Sequence, residues 1–154
     1  MAPAQASLLA KLDTQERVRD FLTNAVASGR ASHAYLFLGA PGAGKLDAAW
    51  ALAQAFLCEQ DGCGSCDSCV RVARHTHPDV HYYTPESATG YLIAQTRELL
   101  DDVPLAPIRA KAKVYIIDRA EQLRANTANA LLKTLEEPPE GVMFILLGTS
   151  ADVM

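Results

Sequence analysis

The fold of this chain is decided by residues 39–46, Gly-Ala-Pro-Gly-Ala-Gly-Lys-Leu, which match a phosphate-binding loop up to its last position. In such a loop the glycines let backbone N–H groups turn toward phosphates, and the lysine reaches the β- and γ-phosphates. The flanks agree, because residues 33–38 form an apolar strand candidate and residues 47–57 are rich in alanine and leucine. Strand, glycine loop and helix in this order predict a phosphate site rather than an ordinary Gly-Pro turn.

The last position of the loop departs from the motif. Serine or threonine is expected there because its hydroxyl ligates Mg²⁺, and Leu46 carries no oxygen. Asp47 adds negative charge beside the phosphate cradle, although a carboxylate is itself favoured at a helix N-terminus. The sequence therefore predicts weak binding of ATP or ADP, or none.

Composition is typical of one compact domain: 154 residues, 49% hydrophobic, with a net charge of −4. The basic residues are scattered, which argues against an autonomous DNA-binding protein. Their one close group comprises Arg109, Lys111 and Lys113. We interpret it as a solvated segment that balances Asp101 and Asp102. The sequence shows neither a membrane-spanning stretch nor a secretory signal, so we expect a cytoplasmic location and no membrane partner.

All four cysteines lie within twelve residues, in the pattern C-x4-C-x2-C-x2-C. Zn²⁺ prefers four thiolates in a tetrahedron, and a Cys-x-x-Cys step lets two thiolates face one point. Four protein ligands saturate the ion, so we expect structural zinc that stabilises a loop and does not activate water. The predicted ligands are Cys58, Cys63, Cys66 and Cys69.

Two other interpretations of this segment stay open. The cysteines could form two disulfides or remain free thiols, although a reducing compartment disfavours disulfides. Three histidines just downstream could also ligate a metal, but four thiolates already suffice, and we interpret the histidines as structural. They are His75, His77 and His81.

The rest of the chain alternates helix and strand patterns. A capping box at residues 13–16 begins a helix whose apolar face includes Phe21 and which Gly29 ends. Further helices are predicted at about residues 93–103 and around residues 128–135, and strands at residues 80–84, 114–117 and 142–147. The continuous apolar run at 114–117 is typical of a strand buried on both faces of a parallel sheet. We therefore predict a layered α/β fold.

Asp118 directly follows the buried strand at 114–117. A nucleotide-bound Mg²⁺ meets an aspartate at this place in phosphate-loop enzymes. The alternative is that Asp118 only caps the next turn. Together with the glycine loop, we interpret Asp118 as part of a second nucleotide motif.

Several segments together resemble the bacterial DNA polymerase III clamp-loader family, and the resemblance covers nearly the whole chain. The most specific is Leu-Leu-Lys-Thr-Leu-Glu-Glu-Pro-Pro at residues 131–139. The others are residues 33–37, the cysteine quartet, residues 77–80 and residues 113–118. The resemblance implies the AAA+ fold, a three-layer P-loop architecture, with a zinc-binding insert at 58–69. It also implies a five-subunit ring with delta and gamma/tau subunits that places a sliding clamp on primed DNA.

The departures from this family suggest an inactive member. Active subunits carry a glutamate after the aspartate to orient the attacking water, and this chain has Arg119 there. Glu121 would need a different backbone path to replace it. We expect a stator-like domain resembling the delta-prime type, part of the polymerase assembly but without ATPase or polymerase activity and without catalytic residues. The alternative is a gamma/tau-type motor that hydrolyses ATP.

The resemblance also implies a nucleotide site, vestigial if the stator interpretation holds, in which Thr149 occupies the position that senses the γ-phosphate. The full set is Gly39, Gly42, Ala43, Gly44, Lys45, Asp118 and Thr149. In the family a Ser-Arg-Cys motif, a lid and a collar follow the last strand, and this sequence ends at Met154 before them. We therefore expect residues 1–154 to be an N-terminal ATPase-like domain that assembles weakly without lid and collar.

Overall fold

The computed structural model describes residues 8–9, 12, 16–40 and 42–149. The predicted capping box depends on residues 13–15, which lie outside this part. In chain order the elements are α1 (Glu16–Ala27), β1 (Ala34–Leu38), α2 (Lys45–Leu57), α3 (Asp67–Ala73), β2 (Val80–Tyr83), α4 (Ile93–Asp102), β3 (Lys113–Ile117), a 3₁₀ turn (Ala120–Gln122), α5 (Ala125–Glu136) and β4 (Val142–Gly148). None of the helices in the described ranges has the length and apolarity to cross a bilayer.

The four strands form one parallel sheet in the order β1-β4-β3-β2. Every residue of β3 and of β4 is buried, as the continuous apolar run at 114–117 predicts. In the register, Tyr115 of β3 lies beside Phe144 of β4, and Tyr35 of β1 lies beside Ile145. The prediction of a layered α/β fold with a parallel sheet is confirmed.

Alternation along the two central strands builds two cores, one on each face of the sheet. Val114 and Ile116 of β3 pack into a core with α1, α2 and α3. Tyr115 and Ile117, which point to the opposite face, pack into a second core with α4 and α5. The result is three layers, with the sheet between two sets of helices.

Helix α2 is buried almost all round. Ala49, Ala51 and Ala53 have no exposed surface, and their small side chains let the neighbouring elements pack closely around the helix. Alanine is also the strongest helix former, so the same residues favour the helix itself. Its N-terminus therefore has a fixed position, directly after the glycine loop.

Three details differ from the sequence-based expectations. The cysteine segment contains a short helix, α3, that was not predicted because turn-forming residues surround it. Phe21, placed on the apolar face of α1, is 64% exposed. Lys113, expected in a solvated cluster, is only 2% exposed, and its Nζ donates to the main-chain oxygen and the carboxylate of Asp102. A buried ammonium needs such partners, because leaving it unpaired would be costly.

Candidate functional site

A cleft of about 670 Å³ lies where the strands end. In a parallel sheet the carboxyl ends of all strands meet at one edge, so the loops after β1, β3 and β4 converge there. Five of the predicted nucleotide-site residues line it: Gly42, Gly44, Lys45, Asp118 and Thr149. Leu46, Asp47, Arg119 and Glu121 line it as well. Ala43 instead lines a neighbouring groove between α1 and β1.

The glycine loop has the backbone that its motif predicts. Gly42 and Gly44 have φ angles of +83° and +93°. Residues with a Cβ atom rarely adopt this left-handed conformation, so glycine is required at both positions. Lys45 begins α2, and its Nζ donates to the main-chain oxygens of Gly39 at 2.6 Å and Gly148 at 3.1 Å. The ammonium is thereby held at the ends of β1 and β4. The helix N-terminus beside it adds positive potential.

Asp118 is held by its neighbours. The Tyr82 hydroxyl donates to one carboxylate oxygen at 2.9 Å, and the Arg119 backbone N–H donates to the other at 2.9 Å. Burial and the hydrogen bond to Asp118 raise the pKa of Tyr82, so its hydroxyl stays a protonated donor at neutral pH. Arg119 has a left-handed φ of +48°, and its guanidinium donates to the Thr84 hydroxyl at 3.2 Å.

The residues of this cleft do not fit the Mg²⁺ that a phosphate-binding loop implies. Leu46 offers no oxygen, and Arg119, not a carboxylate, follows Asp118 among the residues that line the cleft. Glu121 lines the cleft as well and accepts a hydrogen bond from the Thr149 N–H at 3.3 Å. Within the described ranges, only the cysteine quartet brings three or more His, Cys, Asp or Glu ligand atoms close enough to hold an ion.

The four cysteine sulfurs do fit a metal. They lie within 4.8 Å of one another, with Cys66 and Cys58 at 3.8 Å and Cys63 and Cys69 at 4.0 Å. A tetrahedral zinc ion with bonds of 2.3 Å places its sulfurs about 3.8 Å apart. A disulfide would need sulfurs about 2.05 Å apart, and all four cysteines are free.

The backbone around the quartet favours thiolates. N–H groups donate to the sulfurs of Cys58, Cys63 and Cys66 at 3.3 to 3.5 Å. Donors from Ser65 and Cys66 lower the pKa of Cys63 to about 6, whereas burial raises the pKa of Cys66 and of Cys69. A bound cation would stabilise all four thiolates and offset that burial.

The three histidines have partners outside the quartet. His75 stacks on Trp50 with ring centroids 3.9 Å apart, and His81 lies 3.2 Å from the Asp102 carboxylate. His77 accepts a hydrogen bond from the Asp79 N–H and contacts the Ser68 hydroxyl of α3. Burial lowers the pKa of His77, which suits this acceptor role. These contacts support the structural interpretation.

Asp79 is a structural residue that the sequence analysis did not single out. Its side chain is 0% exposed and accepts from the backbone N–H groups of residues 108–110 at 2.6, 2.7 and 2.7 Å. Burial raises the pKa of Asp79, the three donors lower it, and the net shift is downward. The sequence signal for this role was an aspartate directly before a predicted strand. Asp79 thus connects two segments: its backbone N–H donates to His77, which contacts α3, and its carboxylate holds residues 108–110, which precede β3.

Comparison with known proteins agrees with this geometry. The model of a family described as DNA polymerase III, delta subunit, matches residues 14–154. DNA polymerase III subunit delta′ of Bacillus subtilis is 41% identical over 138 residues, covering 88% of this chain and 42% of the relative. DNA polymerase III subunit tau of Escherichia coli is 43% identical over 139 residues, covering 88% and 21%. The chain thus spans less than half the length of these relatives.

The fold has a solved counterpart. A DNA polymerase III, gamma subunit-related protein from Thermotoga maritima superposes with a TM-score of 0.59 at 19% identity, covering 88% of this chain and 40% of that one. The parallel sheet between helices is that of AAA+ proteins. The family match over residues 14–154, with relatives above 40% identity, shows that this chain belongs to the DNA polymerase III clamp-loader family.

Proposed function

We propose that this chain is a stator-like domain of the DNA polymerase III clamp loader. It maintains the arrangement of the subunits in the assembly and does not hydrolyse ATP. The observation that carries the proposal is the cleft itself. Leu46 stands where a metal-binding hydroxyl belongs, and Arg119 stands where a water-orienting carboxylate belongs. These are separate losses, one of metal ligation and one of water activation, and each lowers the rate.

The proposed partners are the other subunits of the clamp loader, delta and gamma/tau, in a five-membered ring. Through that ring the domain supports loading of the sliding clamp onto primed DNA in the cytoplasm. Residues 1–154 serve as the AAA+ domain of this subunit. The segment 58–69 is its zinc-binding insert, in which Cys58, Cys63, Cys66 and Cys69 hold one structural ion.

A second candidate function, an ATP-hydrolysing motor of the gamma/tau type, is favoured by the identity to tau, which matches that to delta′. The two candidates differ in what Lys45 does. In a motor the lysine contacts the phosphates during turnover, whereas in a stator it only positions the loop.

The discriminating experiment is steady-state ATP hydrolysis by the chain, alone and combined with clamp-loader partners, sliding clamp and primed DNA. We expect no turnover by the chain alone. In the assembly, Lys45→Ala in this chain should leave the rate within about twofold of the unmodified assembly, because the other subunits supply the hydrolysis.

The opposite result identifies a motor. Loss of turnover by about a thousandfold on Lys45→Ala, for hydrolysis that can be traced to this chain, would overturn the stator assignment. Arg97→Ala is the matched control, since Arg97 is an exposed cation that does not line the cleft.

A further inference from the structure

Three of the four cysteines line a cavity of about 420 Å³ beside α3. They are Cys58, Cys63 and Cys66, whereas Cys69 lies beneath them and is 0% exposed. A water molecule occupies about 30 Å³ in the liquid, so a cavity of this size admits solutes of several heavy atoms. The cysteine quartet is therefore accessible to small molecules from the solvent.

The charged residues that line this cavity balance one another. They are two cations, Arg109 and Lys111, and two carboxylates, Glu59 and Asp67. Arg109 and Asp67 form an ion pair at 2.7 Å. These residues give the cavity little preference for ions of either sign, and a small uncharged solute such as hydrogen peroxide can enter it.

Cys63 is the member of the quartet whose surroundings favour reaction with such a solute. It is partly exposed and lies in the turn segment before α3. Its sulfur accepts three hydrogen bonds, from the Ser65 N–H at 3.5 Å, the Ser65 hydroxyl at 3.7 Å and the Cys66 N–H at 3.3 Å. These donors orient the sulfur and stabilise negative charge on it. A thiolate that solvent can reach is the form of cysteine that oxidants attack.

Cys69 is placed to react with an oxidised Cys63, because the two sulfurs lie 4.0 Å apart. The main-chain oxygen of Cys69 accepts a hydrogen bond from the Gln54 side chain of α2 at 3.0 Å, and Gln54 is itself buried. Helix α2 therefore holds Cys69 in position. A disulfide needs its sulfurs about 2.05 Å apart, so the turn that carries Cys63 has to move by about 2 Å.

We propose that Cys63 is an oxidation site for peroxides and that Cys69 resolves it, so that a Cys63–Cys69 disulfide forms and the quartet releases its metal. The Cys63 thiolate attacks one oxygen of hydrogen peroxide and the O–O bond breaks, which gives a sulfenic acid and hydroxide. The Cys69 thiolate then attacks the sulfenic sulfur, forms the S–S bond and expels a second hydroxide. The two thiolates lose two electrons, and the peroxide gains them. Cys58 and Cys66 alone supply only half of the ligands that structural zinc requires.

The oxidised form is expected to be transient. A reducing compartment disfavours disulfides, so the bond should form only while peroxide is present, and a dithiol should reopen it. The inference rests on the metal site proposed above. It does not depend on whether the chain is a stator or a motor.

The test is titration of the zinc-loaded 154-residue chain with hydrogen peroxide. A chromogenic indicator measures zinc release, and we expect about one equivalent to appear as the disulfide forms. Mass spectrometry of non-reduced peptides identifies the bond. Cleavage after Asp61 and Asp67 separates Cys69 from Cys63, so the disulfide links two peptides with the loss of two hydrogen atoms. A dithiol with added zinc should restore the loaded chain.

Two variants that conserve the number of ligands identify the reactive sulfur. Cys63→His and Cys58→His each leave three thiolates and an imidazole, a set that binds structural zinc. Cys63→His lacks the oxidation site, so it should release zinc at least about tenfold more slowly than the unmodified chain. Cys58→His keeps both Cys63 and Cys69 and should stay within about twofold of the unmodified rate. Elemental analysis establishes that each variant is loaded, and the disulfide map of the unmodified chain decides if one is not.

Three results would refute the inference. They are retention of zinc at peroxide concentrations that oxidise free cysteine in the same buffer, a first disulfide that excludes Cys63, and equal release rates for the two loaded histidine variants. A loaded chain that resists peroxide leaves the proposed metal site intact, whereas a chain that does not bind zinc refutes both the site and the inference.

Discussion

Replacement of Cys66 by serine is expected to release the metal from the cysteine quartet and to unfold the segment around it. Cys66 has two structural roles, because its sulfur lies 3.8 Å from that of Cys58 and it caps α3 by accepting the Cys69 N–H. Binding of structural zinc contributes on the order of 10 kcal/mol in zinc-finger peptides, so its loss should cost several kcal/mol here. The unmodified chain should carry about one equivalent of zinc by elemental analysis.

Fluorescence of Trp50, the single tryptophan, gives a second measurement. Its ring stacks on His75, two residues after α3, so unfolding of that helix should change its emission. Cys66→His is the matched control, because imidazole is also a zinc ligand and should retain more metal than serine. Metal-free protein with the same melting temperature and emission would argue against a metal site.

Asp79→Ala is expected to destabilise the protein by about 3–5 kcal/mol, because it removes a buried carboxylate that accepts hydrogen bonds from three backbone N–H groups. Such a loss is a large part of the roughly 5–15 kcal/mol that folding of a domain typically yields. Urea unfolding measures it. Asp79→Asn, which keeps one acceptor oxygen, should lose less, and exposed Asp101→Ala should stay within about 0.5 kcal/mol of the unmodified chain.

The Asp79 carboxylate should also make the stability of the fold sensitive to acid. Its folded-state pKa lies below the ordinary value, so its contribution is complete above about pH 4 and is lost as the pH falls through the folded-state pKa. Asp79→Asn should therefore show a smaller loss of stability on acidification than the unmodified chain. Equal acid sensitivity of the two proteins would contradict this role.

The sequence was sufficient for the framework of the fold, because that framework depends on local patterns. The apolar run at 114–117 and the strand before the glycine loop predicted the parallel sheet, and the sheet then placed Asp118 and the loop at one edge. The cysteine spacing predicted a cluster whose sulfurs the structure brings together. Each of these inferences needed only residues close in sequence or the geometry of a parallel sheet.

The remaining contacts join residues far apart in sequence, and no local pattern encodes them. Tyr82 reaches Asp118 across 36 positions, and Asp79 reaches residues 108–110 across about 30. For Lys113 the expected partner, Asp102, is confirmed, but its burial depends on how α4 packs against the sheet, which the local pattern does not show. Helix α3 was missed because its seven residues are too few for a periodic pattern.

The alanines of α2 limit how this sequence can vary over evolutionary time. Ala49, Ala51 and Ala53 are fully buried, so a larger side chain at any of them would push α2 away from a neighbouring element at a cost of about 1–3 kcal/mol. Glycine would fit but weakens a helix by about 1 kcal/mol. We expect functional variants from a random library to keep alanine or serine at these three positions, while exposed Asp101 accepts almost any residue.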